Sequence, residues 1–131
     1  MRVMLDTNVL ISVFVFRSSH INAVISKIVD NYRLVLSSFV IEELTQVVKR
    51  KFPDEINALD IFLTALSYEL SYTPRNIRKD LFQIRDETDY PVLYSAIIED
   101  VDILVTGDKD FKDVLIDKPV IMTPSEFVES Y

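Results

Sequence analysis

Apolar positions along the chain fall into short continuous runs and longer stretches with helical spacing, and the boundaries between them predict the elements. Val3, Met4 and Leu5 read as a buried strand that stops on Asp6, a residue depleted from strands and favoured at helix N-caps. From Val9 to Phe16 nearly every helical face is apolar, which predicts a helix covered on two sides, by a sheet and by a further element such as a second subunit. Ile21 to Val29 keeps helical spacing, and "RLVLSS" reads as a short buried strand ending in two hydroxyl residues suited to capping. A third helix is predicted from Phe39 to about Lys51.

Pro53 opens another helical pattern, with Ile56, Leu59, Ile61, Phe62, Leu63, Leu66 and Leu70 on a broad apolar face and Pro74 beyond it. Pro74 to Thr88 is irregular and charged and reads as a loop with a short helix or strand. A helix from Asp89 to Glu99 follows, with Pro91 in its first turn. "DILVTGD" contains the clearest strand, Ile103 to Thr106, and "PVIMTPSEF" combines a last short strand with a capping box, Thr123 and Glu126 around Pro124. This order predicts one α/β domain over residues 1–131, with a central, mostly parallel sheet and helices on both faces.

Composition narrows the classes. With 131 residues, 49% of them hydrophobic, and Gly107 as the one glycine, the chain is a globular protein with a real core. The absence of cysteine excludes disulfides and thiolate chemistry, and with neither a signal-peptide pattern nor a stretch of transmembrane length, a cytoplasmic protein with no membrane contact is expected. The net charge of −7 runs against a polyanion partner, but basic residues cluster at Lys49, Arg50 and Lys51 and at Arg75, Arg78 and Lys79, so a local positive rim is compatible with it.

In a parallel sheet, ligands bind where strand C-termini meet the following helices. Asp6 and Asp108 both follow strands, and Asp89 opens a helix on the segment leading to the strand that carries Asp108. Each suits an N-cap, yet all three also fall where a site of this architecture belongs. At ~100° per residue, Val40, Ile41, Leu44, Val47 and Val48 define a core face that Glu43 borders and Glu42 opposes, so Glu43 is the fourth candidate. Asp86 and Asp110 are accessory candidates. Carboxylates gathered in one pocket must take up protons or be neutralised by a cation, and oxygen ligands without His or Cys point to Mg²⁺ or Mn²⁺ and to phosphodiester hydrolysis. His20, the one histidine, reads as a solvent-exposed helix start, and no tryptophan offers a stacking platform.

The motifs carry a resemblance. "MLDTNVLIS", "SSFVIEELTQVV", "DETDYPVLYSAI" and "ILVTGDKDF" occur in the order of the PIN-domain proteins, and the chain resembles in particular the VapC-like toxin ribonucleases and related PIN-family toxins. The resemblance implies a PIN-like three-layer α/β/α domain and a ribonuclease preferring single strands. It assigns Asp6, Glu43, Asp89 and Asp108 as metal-binding catalytic acids, with Asn8, Thr106 and Asp110 in support. Asp86 also has a claim in the third motif, where the family spacing of seven residues before Ala96 favours Asp89. The resemblance further implies Mg²⁺ or Mn²⁺ as cofactor, an RNA substrate, a homodimer and a cognate antitoxin. Phosphatases of the haloacid dehalogenase type also place an Asp after the first strand, but they need a second Asp where this chain has Asn8. A catalytically degenerate PIN domain that only binds RNA or protein is the non-enzymatic alternative.

Overall fold

The computed structural model describes residues 1–131. Strands β1 (Arg2–Leu5), β2 (Arg33–Ser37), β3 (Glu69–Ser71), β4 (Ile103–Val105) and β5 (Val120–Met122) form a sheet in the order β3-β2-β1-β4-β5, every neighbouring pair parallel. The three central strands contribute Val3, Met4, Leu5, Leu34, Val35, Leu36, Ile103, Leu104 and Val105, all buried. Continuous apolar runs of this kind are what a parallel sheet covered on both faces requires. Helices α1 (Thr7–Phe14), α2 (Ser19–Asn31), α3 (Ser38–Lys51), α4 (Ile56–Ala65), α5 (Tyr90–Ile98) and α6 (Pro124–Ser130) supply the cover, which makes a three-layer α/β/α fold. None of them is long and apolar enough to cross a membrane by itself.

Local chemistry sets several boundaries. The Ser37 hydroxyl accepts from Val40 N at 3.2 Å and starts α3, and the Thr123–Glu126 capping box starts α6. Helix α1 begins at Thr7, directly after Asp6, and ends at Phe14, two residues short of the predicted end. Its second cover comes from the same chain: α2 and α3 pack against it, and the Phe14 ring lies 5.4 Å from that of Phe62 on α4. Only Phe16, in the turn beyond the helix, is left largely exposed.

The predicted helix through Leu70 is corrected: α4 ends at Ala65, and Leu70 lies on the edge strand β3. Leu66 and Leu70 keep helical spacing, but Glu69, Leu70 and Ser71 pair with Val35, Leu36 and Ser37 of β2. A three-residue edge strand with its leucine exposed has no apolar signature of its own. The charge at its start is met by Arg2, which bonds the carboxylates of Glu69 and Glu99 at 2.8 Å each. Residues 74–86 carry no helix or strand, and the short element expected in this stretch is the single 3₁₀ turn Glu87–Asp89 at its end.

Candidate metal centre

The strand order reverses between β1 and β4, since β1 connects to β2 on one side and has β4 on the other. Ligand crevices form at such a switch point, beyond the strand C-termini. Asp6 follows β1 there and Asp108 lies just past β4. Thr106 joins them, donating to Asp6 Oδ2 at 2.7 Å while accepting from Asp108 N at 3.0 Å. Asp6 Oδ1 accepts from Thr7 N at 2.7 Å and so caps α1. Asp108 Oδ1 accepts from Asp110 N at 2.9 Å, folding the turn after β4 back on itself.

Glu43 on α3 and Asp89 at the start of α5 complete the ring. Asp6, Thr7, Asn8, Ile11, Glu43, Val47, Asp89 and Asp108 line one cavity of about 220 Å³. All four nominated acids are therefore brought together, and Glu42, exposed on the outer side of α3, is not among them. The tightest carboxylate group is a different one: ligand oxygens of Asp86, Asp89 and Asp110 lie within 4.8 Å of one another. Asp89 belongs to both sets. Asp86 and Asp110 thus sit on the flank of the cavity, and Arg85, 3.7 Å from Asp110 and 3.1 Å from Asp113, is the one cation paired with any of these acids.

Crowding shows in the protonation equilibria. Burial pushes the carboxyl of Asp6 up to about 6; repulsion from Glu43 and Asp108 adds to it, and the bonds from Thr106 and Thr7 oppose it. Asp89 is pushed up to about 7, first by desolvation and then by Asp108, with Asp6 and Asp86 contributing. Asp86 moves the other way, held below the usual range by the hydroxyl and N–H of Thr88. Three buried polar atoms in this neighbourhood have no hydrogen-bond partner: Thr7 Oγ1, Asn8 Oδ1 and Asp89 Oδ2. An all-oxygen donor set with like charges unrelieved and buried oxygens unpaired fits a hard divalent cation.

The PIN domain sequence profile matches residues 2–110. The chain belongs to the PIN-domain family. PIN domains are generally nucleases and typically use divalent metals, in keeping with the acidic cluster. A chain of VapBC2 from Rickettsia felis, in its crystal structure bound to a DNA fragment from their promoter, is similar over 93% of this chain and 97% of that one, with 24% identity and a TM-score of 0.73. That likeness is one of fold. No curated protein matches the sequence.

Within this PIN domain, Thr7 is the cavity residue that sequence reasoning missed. Its position at the first turn of α1, next to Asp6, was the available signal. The basic clusters divide. Lys49, Arg50 and Lys51 occupy the last turn of α3, about 10 Å along the helix from Glu43, where they complement the helix dipole rather than rim the cavity. The second cluster lies on the segment leading to Asp86, with Arg78 tied to Asp80 at 3.0 Å.

Proposed function

We propose that this PIN domain is a divalent-metal-dependent endoribonuclease that hydrolyses phosphodiester bonds of single-stranded or structured RNA, and that it is the toxin of a toxin–antitoxin pair. The observation that carries the nuclease reading is the convergence of Asp6, Glu43, Asp89 and Asp108 on one cavity at the switch point of the sheet. The fold likeness to a chain of VapBC2, together with the motif order, supports the toxin assignment and a protein antitoxin as partner; a homodimer and a cytoplasmic location belong to the same reading.

In this reading Asp6, Glu43, Asp89 and Asp108 hold Mg²⁺ or Mn²⁺, and Asn8, Asp86, Thr106 and Asp110 support them. These residues would hold a divalent cation, whose chemistry there would be to lower the pKa of a bound water and to offset the charge of the phosphate and of the departing 3′-oxygen. The residues of the chain do the placing. Thr106 fixes Asp6 relative to Asp108 through one hydroxyl, used once as donor and once as acceptor. Asp89 presents Oδ2, which no protein donor occupies, and Thr7 Oγ1 and Asn8 Oδ1 offer further polar contacts to water or substrate. Asp89, whose carboxyl is pushed up to about 7 by desolvation and by Asp108, would have to give up its proton to hold a cation, so affinity would weaken as the pH falls.

The test is cleavage of a panel of end-labelled RNAs by the purified protein in Mn²⁺, Mg²⁺ or EDTA, beside the Asp6→Asn variant and an exposed control, Glu42→Gln. Cuts that need metal, vanish in Asp6→Asn and persist in Glu42→Gln are expected. Cleavage that survives EDTA or Asp6→Asn overturns the site. RNA binding with no cleavage in any metal points to the degenerate binding module.

A further inference from the structure

The segment 84–90 has two faces. Asp86 and Asp89, three residues apart, turn toward Asp110 and the acidic cavity. Ile84, Glu87 and Tyr90, in the same three-residue step, line a separate cavity of about 350 Å³ together with Lys79, Phe82 and Gln83. One stretch of backbone is therefore the partition between the two.

The floor of this second cavity is fixed in advance. The Tyr90 ring stacks on Phe82 with centroids 4.1 Å apart and planes at 13°, both rings buried. The Tyr90 hydroxyl donates to the Arg78 carbonyl and accepts from Leu81 N at 3.3 Å, which ties residues 78–82 to α5. Polar groups stand at the mouth: Gln83, Glu87 and Lys79 are exposed, and no ion pair engages Lys79, whereas its neighbour Arg78 is held by Asp80.

We propose that this cavity is a nucleobase subsite, taking the base of a nucleotide next to the scissile phosphate of a single-stranded RNA; the inference rests on the nuclease reading above. Its volume is near the lower end of the about 300–1,000 Å³ of small-ligand sites, which suits one flat heterocycle. A helix or strand of a protein partner needs a groove running across several elements, and the lining of this cavity lies within residues 79–90. Phe82, Ile84 and Tyr90 give apolar walls for the faces of a base. Gln83 offers a donor and an acceptor to its edge, with Lys79 as a further donor and Glu87 as a further acceptor. The partition makes the distance short: a phosphate held at the cation site beside Asp89 leaves the adjoining base on the other side of the same chain segment.

The experiment measures kcat/KM in Mn²⁺ for short RNAs that vary in one base at a time on either side of the cut, for wild type, Gln83→Leu and Lys79→Ala. Wild type is expected to discriminate among bases at one flanking position, on the order of tenfold. Gln83→Leu should flatten that preference and leave the other positions alone, and Lys79→Ala should weaken it at the same position. EDTA-sensitive cleavage with equal rates for all four bases, as expected if the cavity served a protein segment instead, overturns the subsite while the nuclease reading stands. A preference that survives in both variants also overturns it. A wild type that neither cuts nor binds RNA overturns both readings.

Discussion

Replacing Asp6 by Asn in the metal-free protein should stabilise the fold at alkaline pH and fail to do so at acidic pH. Asp6 is 4% exposed, and its carboxyl is pushed from 3.8 up to about 6. A folded-state value raised by that much means an ionisation penalty of about 3 kcal/mol. The sign follows from linkage: the folded protein binds the proton more tightly than the unfolded one. The stabilisation is fully present below pH 3.8 and is lost as the pH rises through about 6. Asparagine removes the charge and keeps an acceptor for Thr7 N, but the Thr106 hydroxyl, already accepting from Asp108 N, loses the acceptor for its own proton. That loss costs about 1 kcal/mol. The net gain is about 2 kcal/mol at pH 8 in EDTA, equivalent to about 7 °C in melting temperature for a chain of this length. At pH 4.5 about 1 kcal/mol of that penalty already acts, because the unfolded carboxyl ionises above pH 3.8; it offsets the lost hydrogen bond, and variant and wild type should be about equally stable. Urea denaturation followed by circular dichroism at the two pH values reads both numbers. Equal destabilisation at pH 4.5 and pH 8 would refute the reasoning, because Asp6 would then be a helix cap carrying no charge penalty.

Other consequences follow from the same geometry. Mn²⁺ at about a hundred times its dissociation constant should add about 2.7 kcal/mol to wild-type stability and almost nothing to Asp6→Asn; titration calorimetry should show the affinity falling as the pH drops below about 7, where Asp89 takes up its proton. Thr106→Val keeps the shape of the side chain but leaves Asp6 Oδ2 and Asp108 N without their shared partner. It should weaken metal affinity about 10–100-fold, measured by the same calorimetry, and an unchanged affinity would show that the hydroxyl does not place the acids. Phe111 is 1% exposed and anchors the turn that follows Asp108 and Asp110. Phe111→Ala should cost about 3–5 kcal/mol in urea denaturation and lower metal affinity with it, whereas the exposed Lys112→Ala should change neither.

The central strands were legible because burial on both faces forces continuous apolar runs, and the ends of β1, β2 and β5 because Asp6, Ser37 and Thr123 carry cap chemistry. Glu43 was separable from Glu42 because a helix sorts neighbours by ~100° per residue, and the core face of α3 was unambiguous. Strand β3 was not legible: Glu69, Leu70 and Ser71 are held by hydrogen bonds to β2 and by Arg2, which belong to tertiary structure and leave no periodicity in three residues. The two-sided cover over α1 was legible, but not its source. An apolar helix surface asks for a partner without saying which, and α2, α3 and Phe62 supply it from within the chain. Thr7 was signalled only by its place beside Asp6, because its unpaired buried Oγ1 is a property of the folded cavity.

The claim that Asp6, Glu43, Asp89 and Asp108 together form the cation site is tested most directly by an anomalous difference map from crystals grown in Mn²⁺. A peak is expected in the cavity at the switch point, within ligand distance of Asp6 and Asp108. A peak confined to Asp86, Asp89 and Asp110, with Asp6 and Glu43 out of reach, would contradict it.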